Sequence, residues 1–247
     1  MCVLTHNFSI SEKNFVLENW QVSLCKLIIK ELKPMTHEIL LDVGCGNGWL
    51  VSITQKANIS YIGLDISNAV VDKAWKKVMG MNNKADFIIA SATHIPIRNC
   101  SVPLIVCNHV LEHILKDDLV IDEISRISKK GARIFIGVPN SYSRMYPIIW
   151  PWYKLVDIKV RHLRHYKAEN LVASLTQKSL KCRRVVYTAH IFKTLAQFLA
   201  LFSQRIKYAN SPLWWKLEEL DMKFKNVPSG GHFYIIATKK HNSFHQL

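Results

Sequence analysis

One short stretch limits what this chain can fold into more than any other. Leu41-Asp42-Val43-Gly44-Cys45-Gly46-Asn47-Gly48 is an apolar run that ends abruptly in a glycine loop. The residues on either side read as a buried strand, from Glu38 to Val43, and a helix, from Trp49 to Ala57. Glycines let the backbone turn sharply and approach a ligand closely. The helix start beyond them offers free N–H groups. A dinucleotide fingerprint requires G-x-G-x-x-G, but position 49 is Trp and the spacing here is G-x-G-x-G. No Gly-Lys-Ser/Thr follows, so a P-loop is excluded as well. The loop suits a ligand without a pyrophosphate.

The segments around it alternate. Strand signals fall at Tyr61–Asp65, Asp86–Ala90, Val102–Cys107, Ala132–Val138, Arg183–Thr188 and His232–Thr238. Helix signals fall at Phe15–Leu32, Asn68–Met79, Leu115–Ser128, Lys167–Lys178, Ala189–Lys207 and Pro212–Lys223. Lys129-Lys130 is read as the cationic end of its helix, with Gly131 turning the chain into the next strand. Strand–helix alternation implies a parallel sheet with helices on both faces, an α/β doubly wound fold. The chain's 247 residues are read as a single domain. Its parts are a core at about 35–140, an insertion at about 141–165 and an extra helical region at about 189–223.

Asp65 ends the second strand about 20 residues beyond the loop, where nucleoside-binding α/β folds place a carboxylate on ribose hydroxyls. Alone it is an ordinary strand-end Asp. With the loop it becomes a specific signal.

These motifs resemble the class I S-adenosylmethionine-dependent methyltransferases. The likeness rests on LDVGCGNG (41–48), YIGLDIS (61–67), IASATHIPI (89–97), VCNHVLEHI (106–114) and SRISKKGARIFIGVPN (125–140). It implies a seven-stranded, mostly parallel Rossmann-like sheet whose last strand, 232–238, is antiparallel. It implies S-adenosyl-L-methionine as cofactor. By position, Asp42, Gly44, Cys45, Gly46 and Gly48 would line its methionine part. Asp65 would take the ribose and Ile66 would flank the adenine. Ser91 and Ala92 would lie at the adenine edge, and Asn108 and His109 would border the methionyl group. His109 and His113 flank Leu111 and Glu112, and one of them could serve as base for a hydroxyl acceptor; His109 is the one expected to line the site. Two departures stand out: Ala90-Ser91-Ala92 where many relatives carry Gly-Asp-Ala, and Val102-Pro103 where many carry Phe-Asp.

Val138-Pro139-Asn140 followed by Val160-Arg-His-Leu-Arg-His-Tyr166 resembles the ubiquinone- and menaquinone-biosynthesis subgroup. There Asn140, His162, His165 and Tyr166 would form the substrate-side wall. His162 and His165 have the spacing of a helical metal pair, but no partner Cys or further His is evident, and no metal is expected.

The 33 Lys+Arg exceed the 18 Asp+Glu, giving +15. Residues 1–120 hold 11 of each, so the whole excess lies in 121–247, with 22 against 7. An anionic or amphiphilic acceptor, RNA or an acidic membrane surface would explain that segregation; so would a well-solvated surface. Six Cys without a CxxC pair argue against a disulfide framework. With no signal-peptide pattern and no apolar run of about 18–20 residues, the expectation is cytoplasmic, with peripheral membrane contact open. The apolar residues Ile191, Phe192, Leu195, Phe198, Leu199 and Phe202 recur at helical spacing. They read as helix-on-sheet core or as a membrane-surface helix. The function expected is methyl transfer to a small-molecule or lipid-linked acceptor. An RNA methyltransferase and a non-catalytic protein keeping the fold are the alternatives.

Overall fold

A computed structural model describes residues 17–79, 85–208 and 211–240. Phe15 and Cys2 lie outside the described residues. Seven strands form one sheet: β1 Ile39–Val43, β2 Ser60–Asp65, β3 Ala85–Ile89, β4 Val102–Asn108, β5 Ser128–Pro139, β6 Leu180–Thr188 and β7 His232–Lys239. Their order is β3-β2-β1-β4-β5-β7-β6. The pairs among β1 to β5 are parallel, while β7 runs antiparallel to both β5 and β6. Six strands therefore point one way and β7 the other, as the family resemblance implies.

Strand periodicity splits the core in two. Along β5, Ile134, Ile136 and Val138 face one core and Phe135 the other; along β7, Phe233, Ile235 and Ala237 face the first and Tyr234 and Ile236 the second. Residues two apart share a face of a sheet. The first core is closed by α4 (Asp117–Ile127) and α6 (Ala168–Gln177). The second is closed by α1 (Asn19–Leu32) and α2 (Val51–Ala57), with the end of α3 (Asn68–Val78). Apolar residues on both faces are what a mainly parallel sheet requires.

Several element boundaries differ from the sequence reading. The stretch 141–159, read as an insertion, contains a 3-10 turn (Pro147–Ile149) and α5 (Trp150–Val160). Pro151 lies at the start of α5, where its missing N–H would have no intrahelical partner in any case. The helix read over Ala189–Lys207 is α7 (Ile191–Ala200) followed by a separate short turn, α8 (Gln204–Lys207). The final helix is α9 (Pro212–Met222), capped by the Ser211 side chain. Lys129-Lys130 belong to β5 rather than to the end of α4, whose last turn instead carries Arg126 on Glu123. Finally, Leu111–His113 forms a 3-10 turn ahead of α4.

The glycine loop needs its glycines. Gly44, Gly46 and Gly48 have φ of +72°, +53° and +72°, the left-handed region that side-chain-bearing residues rarely enter. A Cβ on Gly44 would fall 2.3 Å from a Val110 methyl. A Cβ on Gly46 would meet nothing within 4 Å.

One buried polar pair sits at the carboxyl end of β1. Tyr61 Oη donates to Asp42 Oδ2 at 2.7 Å, and both side chains are buried. Burial pushes the Asp42 carboxyl up to about 7, against the opposing Tyr61 hydrogen bond. The folded chain thus holds a proton there that the unfolded chain, at 3.8, releases. That proton stabilises folding at low pH, and the contribution fades as pH rises from the unfolded value to about 7. Asp42→Asn cannot ionise. Its stability relative to wild type should rise by on the order of 2–4 kcal/mol between about pH 4 and about pH 8 in urea unfolding. A pH-independent difference would show that Asp42 does not titrate in this range.

Candidate active site

The carboxyl ends of β1, β2 and β4 bring the signature residues together. Gly44 and Cys45 N–H donate to the Leu64 carbonyl at 2.7 and 2.9 Å, which ties the loop to the end of β2. Asp65 completes the tie. Its Oδ2 accepts from Gly46 N–H and its Oδ1 from Ser67 N–H, each at 3.0 Å. A carboxylate oxygen has two lone pairs, so each keeps room for another donor. Gly46, with open space where its Cβ would be, forms the floor beside it. Cys45 turns inward: it is buried in the second core, its Sγ directed at the Gly46 carbonyl.

The remaining predicted cofactor residues spread around this junction. Ile66 is 72% exposed just past β2. Ser91 Oγ lies 2.8 Å from Thr93 Oγ1 and accepts from Thr93 N–H at 3.3 Å. Ala92 is buried in the first core. Asn108 ends β4 with its Oδ1 buried and without a hydrogen-bond partner. Gly137 makes the space for it, since a Cβ there would sit 2.2 Å from that oxygen.

A cavity of about 500 Å³ opens next to the loop. Trp49, directly after Gly48, is on its wall, as are Asn108, His109 and His162. Trp152 and Tyr153 of α5, Ala200 and Leu201 at the end of α7, and Trp214 of α9 close the other sides. Trp20 meets Trp49 edge-on at 5.7 Å. Pockets of this size with few polar groups are typical of small-molecule sites.

The polar wall is a set of histidines arranged on two carboxylates. Glu112, fully buried, lies 2.8 Å through Oε1 from His109 Nδ1. Burial alone would raise the Glu112 carboxyl, but the His109 hydrogen bond and charge outweigh it and hold the group below the usual range. His109 sits at φ +55°, uncommon for a residue with a side chain, and its N–H donates to the Gly137 carbonyl at 2.9 Å. Asp157, on α5, takes His162 Nδ1 on Oδ1 at 2.6 Å, and on Oδ2 takes His165 Nε2 at 2.7 Å and the Tyr142 hydroxyl. Burial opposes ionisation of Asp157, and these three partners overcome it and lower its carboxyl. His232, at the start of β7, meets His109 edge-on at 4.7 Å. Burial, and then the charge of His109, keep it well below the ordinary imidazole value.

Four residues were expected together on a substrate-side wall. Of these, His162 lines the cavity. Asn140 is buried and pins the loop before β7, donating from Nδ2 to the Gly230 carbonyl at 2.8 Å. His165 Nδ1 lies 2.8 Å from the Asn140 carbonyl, and Tyr166 Oη donates to Asp117 Oδ2 at 2.6 Å. Sequence spacing places no Cys or further His beside His162 and His165. The fold supplies carboxylates instead. Donor atoms of Glu112, His113 and His162 lie within 4.8 Å of one another, and so do those of Asp157, His162 and His165. Either group has the residue types and closeness that a divalent cation would use. His232, Trp20 and Trp214 were not singled out from sequence. Nothing local marks them, because they arrive from distant segments.

A family model described as a methyltransferase domain matches residues 41–136. The chain is 27% identical over 147 residues to a ubiquinone biosynthesis O-methyltransferase of Pelagibacter ubique, covering 57% of this chain and 58% of that protein. A second protein of that name, from Hydrogenovibrio crunogenus, matches at 24% over 119 residues, 48% of this chain and 49% of its own. The chain thus spans about half the length of these curated relatives. An uncharacterized protein of Methanocaldococcus jannaschii is 29% identical over 218 residues, 87% of this chain and 84% of that one. Among solved structures, the [4+2]-cyclase SpnF superposes with a TM-score of 0.64 at 20% identity, covering 97% of this chain and 89% of its own. A geranyl diphosphate methyltransferase in complex with SAM superposes at 0.63 with 18% identity, over 88% and 84%. These structural likenesses show the shared fold. Together with the loop, the strand order and the matched span, they give residues 41–136 the likeness of a methyltransferase domain, and the chain resembles the class I S-adenosylmethionine-dependent methyltransferases, those of ubiquinone biosynthesis among them.

Proposed function

We propose that this chain binds S-adenosylmethionine at the Gly44–Gly48 loop and transfers its methyl group to a small-molecule or lipid-linked acceptor held in the adjoining cavity. The reading treats the whole chain as one methyltransferase unit, with segment 141–165 on the acceptor side. The observation that carries it is the junction at Asp65. A carboxylate already oriented by Gly46 and Ser67 N–H groups keeps free lone pairs beside an open glycine floor. That is a seat for a ribose diol. The buried, unpartnered Asn108 Oδ1 is a waiting acceptor on the same side as the cavity. It suits an ammonium or other donor at the methionine end.

The cofactor supplies a methyl group already activated on a sulfonium. The protein's task is to align, to exclude water and to receive a proton. The tryptophans around the cavity exclude water. Glu112, held ionised, accepts from His109 Nδ1–H and so leaves the Nε2 lone pair of His109 free. Nε2 can then take the proton of a hydroxyl acceptor, with Glu112 stabilising the charge that results.

The cofactor site is tested by calorimetry with S-adenosylhomocysteine. Wild type should bind at micromolar strength, about −8 kcal/mol. Asp65→Ala should bind at least tenfold more weakly, and absence of binding by the folded wild type would overturn the reading. Because the same fold serves a [4+2]-cyclase, methyl transfer needs its own readout. The assay follows the labelled methyl group of S-adenosylmethionine into lipid and aqueous extracts. His109→Gln should lower that transfer by about 10²–10⁴-fold, a far larger change than its effect on S-adenosylhomocysteine affinity. Equal losses in both would assign His109 to cofactor binding instead.

A further inference from the structure

The helix α7 is packed inside out. It buries Lys193, Thr194 and Ala196 and turns Ile191, Leu195 and Phe198 to solvent. Lys193 is held inside by Glu218 Oε1 at 2.9 Å, while its backbone N–H donates to the buried Asp221 at 2.9 Å. Ile191, Leu195, Phe198 and Phe202 recur at helical spacing down the outer face, and all are exposed, Phe202 by 76%. Phe198 meets Phe202 at 5.3 Å and, on its other side, Trp152 of α5 at 6.2 Å. That contact joins α7 to a second unusual helix. Tyr153 is the one buried residue of α5, and Leu155 and Ile158 stand 65% and 77% exposed. Val160 and Leu201 belong to both features: each is exposed, and each lines the cavity. The apolar surface therefore runs to the mouth of the candidate active site.

Cations are interleaved with it. Lys154, Lys159, Arg161 and Arg205 are exposed, and none pairs with a carboxylate among the described residues. Residues 191–207 contain no Asp or Glu, and 147–161 contain only Asp157, which is engaged by His162 and His165. An apolar helical face with basic residues beside it is the pattern of a helix lying in a membrane interface. No helix among the described residues is long and apolar enough to cross a bilayer.

We propose that the outer faces of α5 and α7 dock this protein on an anionic lipid bilayer, with the cavity mouth at the membrane surface. Phe198, Phe202, Leu155 and Ile158 enter the acyl boundary while the four cations meet lipid phosphates. An acceptor dissolved in the bilayer then reaches the cavity past Val160 and Leu201 without crossing water. This last step rests on the methyltransferase reading; the docking itself does not.

The test is sedimentation of the full chain with vesicles of phosphatidylcholine alone or with about one quarter phosphatidylglycerol. Wild type should pellet with the anionic vesicles. The double variant Phe198→Ser/Phe202→Ser should lose at least tenfold in vesicle affinity while keeping its circular dichroism and its S-adenosylhomocysteine binding. Lys154→Gln/Lys159→Gln should weaken binding by about fivefold per charge removed. No pelleting with either vesicle would overturn the proposal. So would pelleting that the Phe variant leaves unchanged and moderate salt abolishes, since that is the behaviour of a charge patch for RNA. A concentration-dependent dimer that the Phe variant dissolves, without vesicle binding, would assign the face to a second copy of this chain. Loss of S-adenosylhomocysteine binding in a wild type that still pellets would sink the methyltransferase reading and leave the membrane surface standing.

Discussion

Three left-handed glycines set the terms for everything at the carboxyl edge of the sheet. With φ positive at Gly44, Gly46 and Gly48, β1 can end in a loop tight enough for Gly44 and Cys45 to donate to Leu64 on the neighbouring strand. The missing side chains admit Val110 on one side and Ala74 and Phe87 on another. Gly46 N–H then falls within reach of Asp65, which locks the loop to the start of α3 through Ser67. A side chain at Gly44 would push Val110 outward, and with it the His109–His113 turn that forms the polar wall. The proposed cofactor seat and the polar wall thus share one backbone constraint.

The polar wall is built on a different economy. Glu112 and Asp157 are acids in places where burial opposes their charge, and both stay ionised because imidazoles and a tyrosine hydroxyl face them. Each carboxylate ties the element that carries it to the 162–165 segment. Glu112 receives His109 of its own turn and lies 3.8 Å from His162 Nε2, and its backbone carbonyl takes the Leu163 N–H at 2.9 Å. Asp157 fixes α5 to the 162–165 segment. Buried charges with several partners are costly to disturb, so they hold the walls of the cavity in register. Gly231 has the same effect by another route: Tyr153 packs where its Cβ would be, which brings α5 against the start of β7.

Much of this is legible in the amino-acid sequence. The apolar strand entering a glycine loop, the Asp after the second strand and the alternation of strands and helices specified the doubly wound sheet and its carboxyl-edge site. Those signals are local: a strand pattern and a glycine with positive φ act over a few residues. The helix α5 is not legible there, because the stretch 141–159, rich in Tyr, Trp and Pro, reads as an insertion, although Pro151 stands in the first turn of a helix, where it is tolerated. The carboxylate partners of His162 and His165 are not legible in the sequence, because Asp157 falls within the aromatic insertion and Glu112 lies about 50 residues upstream of His162.

By itself, the amino-acid sequence determined the order of the strands, the glycine loop, the charge excess in the second half and the existence of an apolar stripe over residues 191–202. It left open which way that stripe faces, because amphipathicity defines two sides of a helix but not which one is buried. The tertiary structure decided it. Glu218 and Asp221 of α9 lie under α7 and take Lys193 and the backbone of its first turn. An acidic, buried partner draws the polar side of α7 inward, and the phenylalanines are left on the outside, beside the mouth of the cavity.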